Sequence, residues 1–498
     1  MPSMDGTGVA ASDREVELKL AIATPSAHEA AERELAGAPA RKVETIYFDT
    51  PGRALQAAGY SLRLRRDRGR WRQSVKGLAG LSRFESDCAV ADGRPELDRL
   101  AGTPVESLLA HDVQVGPVFA TRVKRRSGRR ATGAGRIEIS LDDGEVLADG
   151  RSWPIRELEL ELEAGGPDAL FEEGRRLAAR EAFVPTFMSK AERGFALADG
   201  RLGEPARFAV RPLDAALPPP EAFRIIAQRC LLQLSLNAEL VAPDAPTEAV
   251  HQARTAIRRL RVALGLFRAL LDGEHAAALR TELGWLAGEL APARNLDVID
   301  EELFTPRADQ IAGTAPREAF ASLMAVARFD AIGRARAALA SPRFRLLLLD
   351  AVRVLESARS AREVPLKDFA ASTLNARRTA LSHRLRRLDW RDAAQRHDAR
   401  IAAKKLRYAC DFFVGLGPDR KADAERKFTK SLSRLQDCLG RLNDWVVAEQ
   451  MTPAIAADDT EASFAAGWIL GEQRALSRKR IRAARRAAER WLDAPRWW

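Results

Sequence analysis

The spacing of apolar residues changes partway along this chain, and that change constrains the fold more than any other feature. Up to about residue 202, apolar and charged residues alternate. Glu15-Val16-Glu17-Leu18-Lys19-Leu20 alternates, as do Ser61-Leu62-Arg63-Leu64-Arg65, Arg136-Ile137-Glu138-Ile139-Ser140-Leu141 and the run from Arg156 to Glu163. Successive side chains of a strand point to opposite faces, so this period marks strands with one apolar and one charged face. Helical spacing interrupts them near residues 26–36 and 167–182. Beyond residue 220, Ala, Leu and Arg dominate and apolar residues recur every three or four positions, the spacing of helices. Between the two lie Pro205, Pro212 and Pro218-Pro219-Pro220, which read as a stiff, helix-breaking linker. The expected organisation is multidomain. Residues 13–202 form an α+β, mainly antiparallel β domain, 203–220 a linker, and 221–498 an all-α helical bundle. Ser3 to Ser12, small and polar, is expected to fray.

At 498 residues the chain exceeds one compact core, and 46% apolar with 30% charged residues excludes wholesale disorder. No apolar stretch approaches the roughly 18 to 20 residues of a membrane span, and Met1 to Glu17 lacks the apolar centre of a secretory signal. Cys88, Cys230, Cys410 and Cys438 have no C-x-x-C spacing, which argues against a disulfide framework and a zinc site. A soluble cytoplasmic protein is expected. Residues 1–210 hold 32 Lys+Arg against 33 Asp+Glu, whereas residues 211–498 hold 48 against 36. The whole basic excess therefore sits in the helical half, where it calls for an anionic partner.

The charged strand faces are dense and of both signs. Glu15, Glu17 and Lys19 share one face, as do Arg63 and Arg65, and Glu157, Glu159, Glu161 and Glu163. Arg83-Phe84-Glu85-Ser86-Asp87 adds a mixed face, and Lys76 closes the strand before it. Two arrangements fit. One is a solvated sheet face with cross-strand ion pairs. The other is a closed barrel lined inside by these charges, with cations for phosphate oxygens and carboxylates for a hard divalent metal. No Walker-A sequence and no Ser-His-Asp arrangement offers a rival site.

The residues that carry these faces occur in a recognisable order. Glu15-x-Glu17-x-Lys19 is followed by Tyr47-Phe48-Asp49-Thr50, Leu62-Arg63-Leu64-Arg65, Lys76, Arg83-x-Glu85, Phe119-Ala120-Thr121 with Arg125, Leu141-Asp142, Glu157-x-Glu159-x-Glu161 and Ser189-Lys190-Ala191-Glu192-Arg193-Gly194. This series, over roughly residues 13–200, resembles the CYTH superfamily of triphosphate tunnel metalloenzymes. The resemblance implies an antiparallel β-barrel tunnel that hydrolyses a terminal phosphoanhydride with Mg²⁺ or Mn²⁺. It implies that Lys19, Arg63, Arg65, Lys76, Arg125 and Lys190 hold phosphate oxygens. Glu15, Glu17, Asp142, Glu157, Glu159 and Glu161 would surround the metal, with Glu161 the alternative to Glu157 on the wall. Glu17, Glu85, Glu159 and Lys190 would serve catalysis. Positioning and charge neutralisation are what phosphoryl transfer needs, so the residue types suit the reaction.

The helical half contains an internal repeat. His251-x-x-Arg254-x-x-x-Arg258-Arg259-x-Arg261 is matched by His397-x-x-Arg400-x-x-x-Lys404-Lys405-x-Arg407. Offsets 0, 3, 7 and 10 fall on one helical stripe roughly 80° wide and about 15 Å long. Four cations on one stripe repel each other, so two copies favour an anion site over a solvated face. A polar, acid-containing turn follows each copy, at Leu290 to Val298 and at Leu439 to Val446. Pairing with the stripes and capping of helices are both open for these turns. His251 and His397 fit phosphate donors or buried histidines equally well. The basic tail from Arg474 to Arg490 ends in Trp491, Trp497 and Trp498, which are expected to pack the last helix.

This repeat, over about residues 221–498, resembles the CHAD domain, a helical domain implied to bind inorganic polyphosphate. Thr255 and Asn295 depart from the usual pattern, and neither is expected to touch the cationic stripe. The leading expectation is an inorganic triphosphatase with a polyphosphate-binding module, cytoplasmic and associated with polyphosphate granules. Thiamine triphosphatase or class IV adenylate cyclase activity in the same tunnel, and a non-enzymatic polyphosphate scaffold, are the alternatives. Aromatic residues are sparse on the basic stripes, which disfavours nucleic acid as a partner. No membrane partner is expected.

Overall fold

The structure, a computed structural model, describes residues 14–77, 82–109, 113–244, 246–360, 364–418 and 421–498. The segment Ser3 to Ser12 and the side chain of Glu15 lie outside the described residues. Packing divides the chain into two units. One runs to Glu204 and includes Ala340–Glu356; the other comprises Pro205–Leu339 and Ser357–Trp498.

The first unit is built on nine strands: β1 (Arg14–Ile22), β2 (Arg41–Asp49), β3 (Tyr60–Asp67), β4 (Arg70–Gly77), β5 (Ser82–Val90), β6 (Gly116–Thr132), β7 (Gly135–Ala148), β8 (Arg151–Gly165) and β9 (Phe183–Pro185). Their order is β5-β4-β3-β2-β6-β7-β8-β1-β9, and β1 pairs back onto β5 through Arg14 with Phe84 and Val16 with Ser82. The sheet is thereby closed, which removes its open edges. Closure also decides which way the charged faces point. Tyr47 pairs with Arg63, and Lys19 with Glu159, so each pair shares a face, and that face is the interior.

The alternate residues face outward and are covered by helices. Leu18, Leu20, Ile139, Leu141, Leu158 and Leu160 pack with Ala27 and Ala31 of α1 (Pro25–Glu34) and Leu170 and Leu177 of α3 (Asp168–Arg180). On another side Leu62, Leu64 and Val75 pack with Leu55 of the short α2 (Ala54–Ala58). Inside the barrel, α4 (Lys190–Ala198) sends Ala191 and Phe195 against Val43, Phe119, Val123 and Ile155. One end of the barrel interior is therefore apolar and filled.

The remaining helices are α5 (Pro219–Glu239), α6 (Thr247–Leu266), α7 (Gly273–Glu289), α8 (Ala291–Val298), α9 (Thr314–Ala340), α10 (Pro342–Glu356), α11 (Leu366–Arg386), α12 (Ala393–Phe412), α13 (Ala422–Ala456) and α14 (Thr460–Leu492). Of these, α10 packs in the first unit. Leu349 joins the core of Leu18 and Leu20, Arg345 Nε donates to the carbonyl of Ala178 at 2.8 Å, and Asp350 pairs with Arg175. Gly174 of α3 makes room for this, because a Cβ there would lie 2.8 Å from Leu18 and 3.3 Å from Leu349. An amphipathic pattern specifies that a helix needs an apolar neighbour without naming which one.

In the second unit, α6 and α12 carry the two copies of the repeat. The proline run does not break a helix. Pro218 caps α5 and Pro219 opens it, because the first helical position has no need of an N–H. The two expected turns are also helical, Leu290 to Val298 forming α8 and Leu439 to Val446 lying inside α13. Trp491 and Trp497 are buried, and Phe428 lies tilted against Trp491 and edge-to-face with Trp498, so the tryptophans close the last helix as expected.

Candidate active site and anion cluster

A cavity of about 340 Å³ runs through the barrel interior. Glu17 and Lys19 reach it from β1, Ser61, Arg63 and Arg65 from β3, Lys76 from β4, Glu85 and Asp87 from β5, Arg125 from β6, and Glu159 and Glu161 from β8. Ser189 and Lys190 close it from the start of α4, where Ser189 and Glu192 form a capping box that fixes the helix end.

Most cations here already have carboxylate partners. Arg125 grips Asp142 through Nε at 2.6 Å and Nη2 at 2.5 Å, and also reaches Glu159 at 2.5 Å. Lys190 Nζ sits 2.7 Å from Asp142, 2.5 Å from Glu157 and 2.8 Å from Glu159. Lys19 pairs with Glu17 and lies 3.2 Å from Glu159. Glu85 accepts from Lys76 at 2.7 Å and Arg63 at 3.3 Å. Burial works against the charge of Lys190, but the three carboxylates outweigh it and raise its pKa. Burial likewise opposes the ionised forms of Asp142 and Glu159, yet the surrounding cations hold both below the usual carboxylate range.

Arg65 is the exception. Arg63 beside it, burial and Arg125 bring its pKa down to about 10, and its buried Nε has no hydrogen-bond partner. Among the described residues, the site therefore contains a cation with no carboxylate ion pair of its own.

The helical unit gathers a second cluster. His251, Arg254 and Arg258 of α6 lie with Arg294 of α8 and Arg400 and Lys404 of α12. Burial, then Arg258 and Arg400, brings Lys404 down to about 6, against the pull of Asp444. Burial and Arg294 bring His251 down to about 4, and burial with Arg258 and Arg294 takes Arg254 to about 10.

The CYTH domain family model matches residues 13–195, and the CHAD domain family model matches residues 225–453. A CHAD domain crystal structure from the plant Ricinus communis is 32% identical with a TM-score of 0.50, covering 59% of this chain and 99% of the plant chain. This chain joins a CYTH domain to a CHAD domain. Over 158 residues it is 28% identical to an inorganic triphosphatase of Haemophilus influenzae, a match covering 30% of this chain. The match spans less than half, 44%, of that relative's own length.

Within the CYTH domain, Glu17, Lys19, Arg63, Arg65, Lys76, Glu85, Arg125, Glu159, Glu161 and Lys190 all line one cavity. Asp142 and Glu157 lie deeper, fully buried beneath Lys190, while Glu161 reaches the cavity wall. Glu157, Glu159 and Glu161 of β8 thus face inward, at different depths. Asp142, Glu157 and Glu159 each offer an oxygen within 4.8 Å of the others, an acidic cluster able to hold a metal ion. Ser61, Asp87 and Tyr47 line the cavity as well, though the sequence assigns none of them a role in the site. Parity was the available signal, since Ser61 shares a face with Arg63 and Asp87 with Glu85. The glycine of Ser189-to-Gly194 is required by packing, because a Cβ on Gly194 would lie 1.9 Å from the Phe119 ring.

In the CHAD domain the stripe is only partly realised. Arg259, expected with the binding residues, is buried, pairs with Asp411 at 2.6 Å and stacks on Phe208 and Tyr408. Its offset of eight rotates it about 100° from Arg258, toward the helix's packed side. Arg261 and Lys405 face a separate set of cations, Arg280, Arg377 and Arg384. Arg407 is half-buried, and His397 is exposed with Nδ1 2.8 Å from Asn443. Thr255 does touch the stripe, since its hydroxyl accepts from Arg258 Nη2 at 3.0 Å. Arg294 and Asp444, from the supposed turns, join the first cluster. No helix among the described residues is long and apolar enough to cross a membrane.

Proposed function

We propose that the protein hydrolyses inorganic triphosphate in the CYTH tunnel with a divalent metal, and that the CHAD cluster binds polyphosphate. The observation that carries the first part is Arg65, a half-buried cation that among the described residues has no carboxylate ion pair, in a cavity whose other cations are matched by carboxylates. A phosphate group supplies what is missing there. Lys19, Arg63, Lys76, Arg125 and Lys190 then exchange part of their carboxylate contacts for phosphate oxygens.

The residues present fit a hard cation. Glu17 and Glu161 are direct cross-strand partners, an arrangement of like charges that costs stability without a cation between them. Glu159 lies next to them, and the buried Oε2 of Glu157 has no hydrogen-bond partner. Glu17, Glu159 and Glu161 would hold the metal, with Asp142 and Glu157 behind them. Bound there, Mg²⁺ or Mn²⁺ would neutralise charge developing on the phosphate oxygens. Glu159, kept ionised by Lys19, Lys190 and Arg125, orients the attacking water, and Glu85 positions Arg63 and Lys76. Lys190, at the first turn of α4, adds its charge where the helix dipole also favours an anion.

Among the described residues, Tyr47 is the one aromatic on the cavity wall, which leaves little with which to recognise adenine or thiamine. Orthophosphate release from triphosphate, with and without Mg²⁺ or Mn²⁺, tests the proposal against Glu17→Gln. Metal-dependent release lost in the variant supports it. Absence of release with either metal overturns it in favour of a binding scaffold.

A further inference from the structure

The tunnel does not end at Arg65. Arg63, Arg65, Glu85 and Asp87 also border a second cavity, of about 520 Å³, lined further by Arg41, Asp67, Arg68, Arg70, Arg72 and Ser74. Its residues come from the far ends of β2, β3 and β4 and the tight turn joining the last two, where Arg68 and Gly69 take positive φ values of 50° and 80°. The turn aims two arginines at the opening. Arg41 is matched by Asp67 at 3.2 Å and Arg72 by Asp87 at 2.5 Å. Arg68 and Arg70 are exposed, and no carboxylate contact is recorded for either among the described residues.

Among the described residues, the lining contains neither an aromatic nor an aliphatic side chain. Such a wall presents a row of guanidinium groups to phosphate oxygens. We infer that this second cavity is an extension site for phosphate units beyond the third, so that the tunnel accepts linear polyphosphates of four or more units. The inference rests on the triphosphatase reading above. The reacting end lies among Glu159, Lys190 and Arg125, Arg65 sits at the junction, and the rest of the chain leaves past Arg68 and Arg70. With tetraphosphate, water attacks the terminal phosphorus and the bond to the bridging oxygen breaks. The products are orthophosphate and triphosphate, and the proton released goes to solvent at neutral pH.

Steady-state kinetics with inorganic triphosphate and linear tetraphosphate, on the full chain with Mg²⁺, test this against the double variant Arg68→Ala, Arg70→Ala. Wild type is expected to hydrolyse tetraphosphate with a KM no higher than that for triphosphate. The double variant is expected to raise the tetraphosphate KM about tenfold while triphosphate kcat and KM stay within about twofold, the loss expected for removing charge-assisted contacts. Triphosphate turnover without tetraphosphate turnover overturns the extension site and leaves the triphosphatase standing. Equal shifts for both substrates, or none for either, also overturn it, the former marking a general field effect. Failure to turn over triphosphate at all removes the underlying reading and this inference with it.

Discussion

Two buried lysines show how differently the two halves of this molecule hold charge. Lys190 in the CYTH tunnel is surrounded by Asp142, Glu157 and Glu159, and its pKa is raised. Lys404 in the CHAD cluster is surrounded by Arg258, Arg400 and Arg254, and its pKa falls to about 6. The tunnel is compensated before any ligand arrives, so a phosphate must displace carboxylates, and a metal offers those carboxylates new employment. The CHAD cluster is compensated only in part, by Asp444 and by Glu301 beside Arg294, so any polyanion of suitable reach relieves repulsion already present. The first arrangement favours selectivity and chemistry; the second favours binding that depends on pH and salt.

The largest expected effect tests the compensated side. Glu159→Gln should lower kcat for triphosphate by about a thousandfold or more, with an unchanged circular dichroism spectrum, because it removes a metal-holding and water-orienting group at once. Near-wild-type turnover would remove Glu159 from the site. Next come two arginines of the same wall. Arg125→Gln and Arg65→Gln should each reduce kcat/KM by about a hundredfold or so, the scale of a lost transition-state contact. Their stabilities should diverge. Arg125→Gln removes the two-pronged partner of buried Asp142, leaving it only Lys190 among the described residues, and should cost about 3–5 kcal/mol in urea denaturation. Arg65→Gln relieves repulsion and should leave Tm unchanged or raise it. Equal destabilisation by both would dissolve the distinction between matched and unmatched cations.

On the partly compensated side, Lys404→Met should raise Tm and weaken polyphosphate binding about tenfold, measured by titration calorimetry at fixed salt. The smallest effect is in pH. The pKa of Lys404 in the fold, about 6, lies well below its value in the unfolded chain. Between those values the unfolded chain binds more protons, so the stability contributed at this site rises with pH from about 6 upward. A bound polyanion reverses the preference and draws a proton onto Lys404. Polyphosphate affinity should therefore fall toward tenfold per unit above pH 6, with uptake of up to one proton, seen as a buffer-dependent binding enthalpy. A flat profile, or the same slope in Lys404→Met, would assign the effect elsewhere.

The period-two strands made the charged face legible, and with it nearly every residue of the tunnel wall, but only the family resemblance turned that face inward. Parity even reaches Ser61 and Asp87. What it could not show is that Arg65 has no carboxylate ion pair among the described residues, since partners are chosen by register across the closed barrel. The repeat likewise located α6 and α12, but Arg259 and Lys405 share an offset and meet opposite fates. Asp411, Phe208 and Tyr408 surround Arg259, whereas Arg377, Arg280 and Arg384 stand near Lys405. The segment around Pro292 and Gly440 read as turns because both residues commonly end helices. Here Pro292 falls in the first turn of α8, where it is tolerated, and the packing of α13 outweighs the roughly 1 kcal/mol cost of an internal glycine.

The placement of α10 has a consequence for the order in which the protein can form. The first unit recruits Leu349, Arg345 and Asp350 from a segment that follows Glu204 by more than a hundred residues. During synthesis at roughly 5–20 residues per second, the outer face around Leu18, Leu20 and Gly174 waits on the order of ten to thirty seconds for its last cover. In that interval the nascent barrel presents an apolar strip suited to a chaperone or to a neighbouring chain. A gene cut at the proline-rich stretch would make that interval permanent.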